Sequence, residues 1–388
     1  MSVATSGWTP KETPKERVTE EHFFRIAPHP GNDFADQAGQ VFELYEAALQ
    51  ETGQSTDSLV TATVFLSDSA NQEAVLRSHP GFVRQFCGGG TVSVVQQPPS
   101  MAKIGLLAYH VRRPSGRERR TTDAVTAQTQ ALSVEAGPYR FIYLNNVLPN
   151  QGISPTAQAD DVFGFVGTYL QAHGLSWAEV VRTWLYINDI DTHYAAISQA
   201  RNQVFRRCGL DGRSGFPAST GINGRLANPF NVMMLNLVAI QGLQPGQCRA
   251  MTAPGNMNPT TEYGVTFERG REVVYGDRRH LYISGTASID QQGQILHSGD
   301  PRRQTERVIE NIAALLRHSN ASLAAMRYLI VYLRDRLDAG TVETVIEQTP
   351  LASVPRLLVF APICRPGWLV EMEGMAIDGQ GDARFAAY

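Results

Sequence analysis

One pattern recurs three times along the chain and limits its fold more than any other feature. Each copy runs through a helix with an apolar stripe, a break at Gly or Asn, an apolar strand and an Asp at the strand's end. The breaks are Gly53, Gly174 and Asn320, and Asp68, Asp189 and Asp335 follow them by 15 residues each. The strands between read VTATVFLSD over 60–68, VRTWLYIND over 181–189 and YLIVYLRD over 328–335. Gly or Asn at the break suits a left-handed helix C-cap. The Asp suits a turn or the N-cap of a second helix. Such helices are expected over 72–86, 194–207 and 339–348, and Cys87 and Cys208 each fall 19 residues after their Asp.

Each copy opens with a strand (22–26, 140–144, 280–284) and closes with one (104–110, 232–240, 368–377). The repeat therefore reads as β-β-α-β-α-β, an α+β unit with helices packed on the outside of a mixed sheet. At 388 residues the chain is too long for one ordinary core, and three units account for it. The expected division is a flexible tail over 1–21, unit 1 over 22–112, unit 2 over 113–241 and unit 3 over 242–388. Unit 1 reads as degenerate, without a hairpin partner for its opening strand. Linkers are expected near 113–136 and 242–262.

A formal net charge of −3 argues against nucleic acid as a partner. The basic run from Arg112 to Arg120 holds Pro and Gly between two apolar strands and reads as a solvated linker. The four cysteines (Cys87, Cys208, Cys248, Cys364) form no Cys-x-x-Cys pair and have no His at zinc spacing. Reduced thiols in a cytoplasmic protein fit that pattern. The polar N-terminus is no signal peptide, and no apolar run reaches bilayer length. Gly88-Gly89-Gly90 lacks the Lys-Ser/Thr of a phosphate loop. The expectation is a metal-independent protein without a cofactor, monomeric or weakly homo-oligomeric.

The last closing strand carries the candidate chemistry. In Leu369-Val370-Glu371-Met372-Glu373-Gly374-Met375, Glu371 and Glu373 sit at i and i+2 and share one face. Two readings of this strand stand: a half-exposed strand with solvent-facing acids, or a buried pair. If buried, like charges and desolvation raise one pKa, and that carboxyl can donate a proton near neutral pH. The closing strands of the first two copies carry no carboxylate.

The repeat resembles the YjgF/RidA unit, whose members are trimers with sites between subunits. Three fused copies then imply an intrachain pseudo-trimer. Arg356, 15 residues before Glu371, and Ser284-Gly285 match that family's pattern. A closer resemblance is to the chorismatases, themselves built like fused RidA units. It is carried by Arg182–Ile190, Pro217-Ala218-Ser219-Thr220-Gly221-Ile222, Tyr263-Gly264, Phe267-Glu268-Arg269, Ser284-Gly285, His297-Ser298-Gly299-Asp300 and Cys364-Arg365 with the Glu371 strand.

That resemblance implies cleavage of the enolpyruvyl ether of chorismate or a related carboxylated substrate in secondary metabolism. Glu371 takes the catalytic position. Arg365, Arg356, Arg269, Tyr263, Ser284, Thr220, Gly221 and Glu373 are the implied binders of a small anionic substrate. Two departures appear: Tyr263-Gly264 runs straight to Val265 where chorismatases carry an Arg-containing stretch, and Arg356 follows the RidA pattern instead. A RidA-type imine or enamine deaminase and a non-catalytic ligand-binding member are the alternatives.

Overall fold

The computed structural model describes residues 2–9, 18–31, 33–114, 116, 118–150, 154–211 and 215–388, without the side chains of Thr261 and Tyr263. Its strands form three sheets, one per repeat. Unit 1 uses β1 (Ser2–Trp8), β2 (Glu20–Ala27), β3 (Leu59–Leu66), β4 (Thr91–Gln96) and β5 (Ile104–Arg112), ordered β1-β2-β5-β3-β4. Unit 2 uses β6 (Arg119–Ala124), β7 (Gln130–Ala136), β8 (Tyr139–Val147), β9 (Val180–Ile187), β10 (Ala218–Asn223) and β11 (Met233–Gln241), ordered β10-β9-β11-β8-β7-β6. Unit 3 uses β12 (Cys248–Ala250), β13 (Gly270–Val274), β14 (Arg279–Ala287), β15 (Met326–Leu333), β16 (Arg356–Phe360) and β17 (Val370–Asp378), ordered β12-β13-β14-β17-β15-β16.

The helices are α1 (Phe34–Thr52), α2 (Ser69–Ser78) and α3 (Pro80–Phe86) in unit 1, α4 (Pro155–Ala172) and α5 (Ile190–Arg207) in unit 2, and α6 (Pro301–His318) and α7 (Ala339–Glu347) in unit 3. Their ends follow local chemistry. Asp33, Ser154 and Asp300 cap α1, α4 and α6 with side-chain oxygens, and Pro occupies the first turn of α4 and α6. Gly53, Gly174 and Asn320, the three breaks, all have positive φ (66°, 70° and 52°). Of the three aspartates, Asp335 accepts from a backbone N–H of the following turn, while Asp68 and Asp189 precede their helices without a side-chain cap bond.

Four expectations are corrected. Part of the expected tail is strand β1, paired antiparallel to β2, so unit 1 has its hairpin; residues 10–17 lie outside the described ones. The linker near 113–136 contains the β6–β7 hairpin. The helix expected over 72–86 is two, because Pro80 has no N–H to continue the first. Each unit also adds an edge strand (β4, β10, β16) parallel to the strand after its first helix.

Each sheet buries one face under its helices and turns the other toward its sisters. Phe24, Val64 and Leu106 pack beneath α1 in unit 1; Leu144, Leu185 and Leu235 do so beneath α4 and α5 in unit 2. The inner faces bring Phe23, Tyr143 and Tyr282 around a small central cavity of about 70 Å³. Bridges between edge segments tie every pair of units: Gln96 to Arg225, Ile222 to Ile363 and Pro99 to Val359. Units 1 and 3 are also joined by Glu21 of β2, which accepts from Arg278 Nη1 (2.7 Å) and lies 3.0 Å from His280 Nε2. Among the described residues, no helix is long and apolar enough to cross a membrane.

Candidate active site

The alternation of β17 turns Glu371 and Glu373 inward and Val370, Met372 and Gly374 toward the helices. Both acids are buried, at 4% and 0% exposure, which decides between the two readings of this strand. Their surroundings differ. Glu373 accepts from Arg182 Nη2 (2.6 Å) and from the indole N–H of Trp184 (2.7 Å), both on β9 of unit 2. Arg182 lies over the Trp184 ring at 4.6 Å. The same Nη2 donates to Thr220 Oγ1 (2.7 Å), which also accepts from the backbone N–H of Gly285 (2.9 Å). One arginine thus joins the second acid, an edge strand of unit 2 and the opening strand of unit 3.

No ion pair holds Glu371 among the described residues. Burial pushes its carboxyl up to about 8, and the charge of Glu373 adds to the rise, against the opposing pull of Arg182 and Arg269. The sheet makes room for it at a register shift between β14 and β17, where Ile283 pairs with Gly374 and Thr286 with Met372. Gly285 sits in that irregularity. A Cβ there would collide with Glu371 Oε1 and stand 3.1 Å from Thr220 Cγ2.

Glu371 faces a cavity of about 270 Å³ between units 2 and 3. Thr220 and Gly221 of β10 form part of the unit 2 wall, and Arg269 and Arg365 approach from unit 3. Arg269 donates through Nε and Nη2 to the Asn258 carbonyl (3.2 and 3.1 Å), which aims its guanidinium. Arg365 donates to the Gly293 carbonyl (3.2 Å) and stacks 4.8 Å from the Trp368 ring. Arg201 of α5 is a third guanidinium on the cavity, 5.9 Å from the Phe267 ring that Arg269 approaches from 5.7 Å. Cys364 also lines it, its thiol pushed up to about 12 chiefly by burial and secondly by Glu371, so it is a thiol rather than a nucleophilic thiolate near neutral pH.

The cavity therefore gathers Glu371, Arg269, Arg365, Thr220 and Gly221 from among the residues singled out in the sequence. Glu373 lies behind it, lining the central cavity. Ser284 is a buried stitch between units, accepting from Ser219 N–H (2.9 Å) and donating to the Glu268 carbonyl (2.6 Å). Arg356 is in another cleft, ion-paired to Glu343 and bonded to the Ala352 carbonyl. The backbone of Tyr263 ends a 3-10 turn, and its side chain lies outside the described residues. Sequence reasoning named Arg182, Trp184 and Phe267 only within stretches that resemble the chorismatases, without a role at the site, and missed Arg201. The signal for Arg182 was a charge in the middle of an otherwise uncharged strand.

A sequence model of the family described as Endoribonuclease L-PSP matches residues 271–378, the body of unit 3. A chorismatase of Streptomyces hygroscopicus is 27% identical over 230 residues, covering 54% of this chain and 65% of that protein. A 3-hydroxybenzoate synthase of the same organism is 26% identical over 226 residues, covering 52% and 64%. The chain thus spans just under two thirds of the length of these curated relatives. A crystal structure of a chorismatase superposes over 91% of this chain and 98% of its own, with a TM-score of 0.64 at 19% identity, a likeness of fold. Unit 3 thus matches the Endoribonuclease L-PSP family model, and the three-unit fold is like that of a chorismatase. In sequence the chain is similar to chorismatases over about half its length.

Proposed function

We propose that the chain is an enzyme that cleaves the enolpyruvyl ether of chorismate or of a closely related carboxylated cyclic substrate. The observation that carries this reading is Glu371, a buried carboxyl held protonated near neutral pH, facing a cavity that three guanidiniums line. An enol ether is cleaved by protonation at its terminal methylene, which becomes a methyl group and leaves an oxocarbenium ion. Water adds to that cation and gives a hemiketal. Breaking the bond to the ring oxygen then releases pyruvate and the ring alcohol, and the proton lost by water restores the acid. Glu371 is the proton donor in this scheme. Arg269, Arg365 and Arg201 are suited to the carboxylates of a dianion, since guanidinium pairs with carboxylate bidentately. The raised pKa fits an acid whose work is done around pH 7.

The deaminase reading rests on Arg356 acting with Glu371, and the two lie in different clefts. The non-catalytic reading would be favoured by an exposed acid or a blocked pocket, and Glu371 is neither exposed nor walled off. Purified protein incubated with chorismate is expected to release pyruvate, followed by a coupled lactate dehydrogenase assay. Glu371→Gln is expected to slow release by roughly 100- to 10,000-fold. Absence of pyruvate from the wild type, or equal rates from both proteins, would overturn the proposal.

A further inference from the structure

The three inter-unit clefts are built on one plan, and strand register allows position-by-position comparison. Phe65, Tyr186 and Tyr332 each stand three residues before their repeat's Asp, and opposite them on the closing strands lie Gly105, Met234 and Glu371. The catalytic position is therefore a glycine in unit 1 and a methionine in unit 2. The opening strands align likewise. Phe23 and Tyr282 face Tyr109 and Met375, so Arg25, two residues on, takes the place of Ser284. On the edge strands Leu357 and Arg356 pair with Ile330 and Leu329, as Thr220 and Ser219 pair with Trp184 and Thr183.

The cleft between units 1 and 2 is closed by hydrogen bonds: Asn236 donates to Ser93 Oγ (2.7 Å) and Asn146 to the Val92 carbonyl (2.7 Å). The cleft between units 3 and 1 is open, with a cavity of about 440 Å³. It has lost the acid and both serines of the catalytic cleft and holds Arg25 and Arg356 in the serines' places. Arg356 is committed to Glu343 (2.5 Å) and to backbone carbonyls. Arg25 donates to the Ser2 carbonyl (3.2 Å), and among the described residues no carboxylate stands within 4.0 Å of it. Burial disfavours its charge, Glu343 supports it and Arg356 opposes it, with the balance downward. An added anion would relieve both costs.

We propose that the cleft between units 3 and 1 is a second, non-catalytic binding site for a small organic monocarboxylate, with Arg25 as its cation. Two guanidiniums against one carboxylate leave a single positive charge to be matched. The walls supplied by Pro30, Met101, Leu357 and Leu358 are apolar and call for a hydrocarbon or aromatic body behind the carboxylate. The volume falls within the usual range for small-ligand pockets. With glycine at the acid position the cleft binds its ligand and leaves it unchanged. Binding here does not depend on what the Glu371 cavity turns over.

The test uses 4-bromobenzoate on the full chain. Co-crystals are expected to show a bromine anomalous peak in this cleft, with the carboxylate against Arg25. In calorimetric titration, Arg25→Ala is expected to weaken one binding equivalent by about tenfold or more, the usual effect of losing a charged hydrogen bond. Met101→Glu sets a negative charge beside the ligand and is expected to do the same. Met101 is 71% exposed, so that variant retains the fold even if Arg25→Ala does not. Bromine found only at the Glu371 cavity or nowhere, or titrations of both variants identical to wild type, would overturn the proposal.

Discussion

Arg182 and Glu373 meet across 191 residues of chain and give two neighbouring glutamates opposite characters. Glu373 receives a guanidinium and an indole N–H; Glu371 receives burial and its neighbour's charge. An acid that must be protonated to work loses activity as pH rises through its pKa. Turnover by wild type is therefore expected to fall along an alkaline limb near pH 8. In Glu373→Gln the neighbouring charge that raises Glu371 is removed while the pull of Arg182 stays, and the alkaline limb should move to lower pH in a kcat/KM profile. A limb unmoved, with activity lowered equally at every pH, would mean that Glu373 serves packing alone. The acids themselves were legible in the sequence, because a spacing of two fixes a shared face. The pairing of Arg182 with Glu373 was not, since the two come from different units and no local spacing announces it.

At the scale of elements, the irregular pairing of β14 with β17 is where the site is shaped. Gly285 lets the strand pass Glu371 while its N–H anchors Thr220. Gly285→Ala is expected to displace the carboxyl and lower kcat by about 100-fold. Overpacking should cost only about 1–3 kcal/mol of stability. Steady-state kinetics beside a urea titration would separate the two effects, and unchanged kcat would remove Gly285 from the site's design. Helix breaks, central strands and closing strands could all be read from the chain because apolar runs and left-handed caps leave local marks. The edge strands could not. Ala218–Asn223 is ASTGIN, poor in the residues strands favour, and it is ordered by parallel pairing to β9 and by contact with unit 3. The β6–β7 hairpin was hidden for a related reason, its arginines and threonines reading as a solvated link.

At the scale of the molecule, the three sheets are fastened by buried charge as well as by apolar faces. Although burial opposes its ionisation, His280 and Arg278 hold the Glu21 carboxyl at about 2. A carboxyl with a depressed folded-state pKa contributes stability that is complete above about pH 4.5 and is lost as pH falls through about 2. Glu21→Gln leaves Arg278 buried without that partner and is expected to cost about 3–5 kcal/mol at pH 7. The gap from wild type should narrow as pH drops toward 3. Urea midpoints at the two pH values would check this, and a constant gap would contradict it.

Joining three sister modules into one polypeptide has a consequence for how such a protein can change. In a ring of identical subunits, any substitution is made three times over, so a cleft cannot be altered without altering its copies. Here Glu371, Met234 and Gly105 occupy the same register position and differ. Covalent linkage has released each seam from the other two: one sets a buried acid over a cavity, one is closed by hydrogen bonds, and one keeps a cavity without that acid.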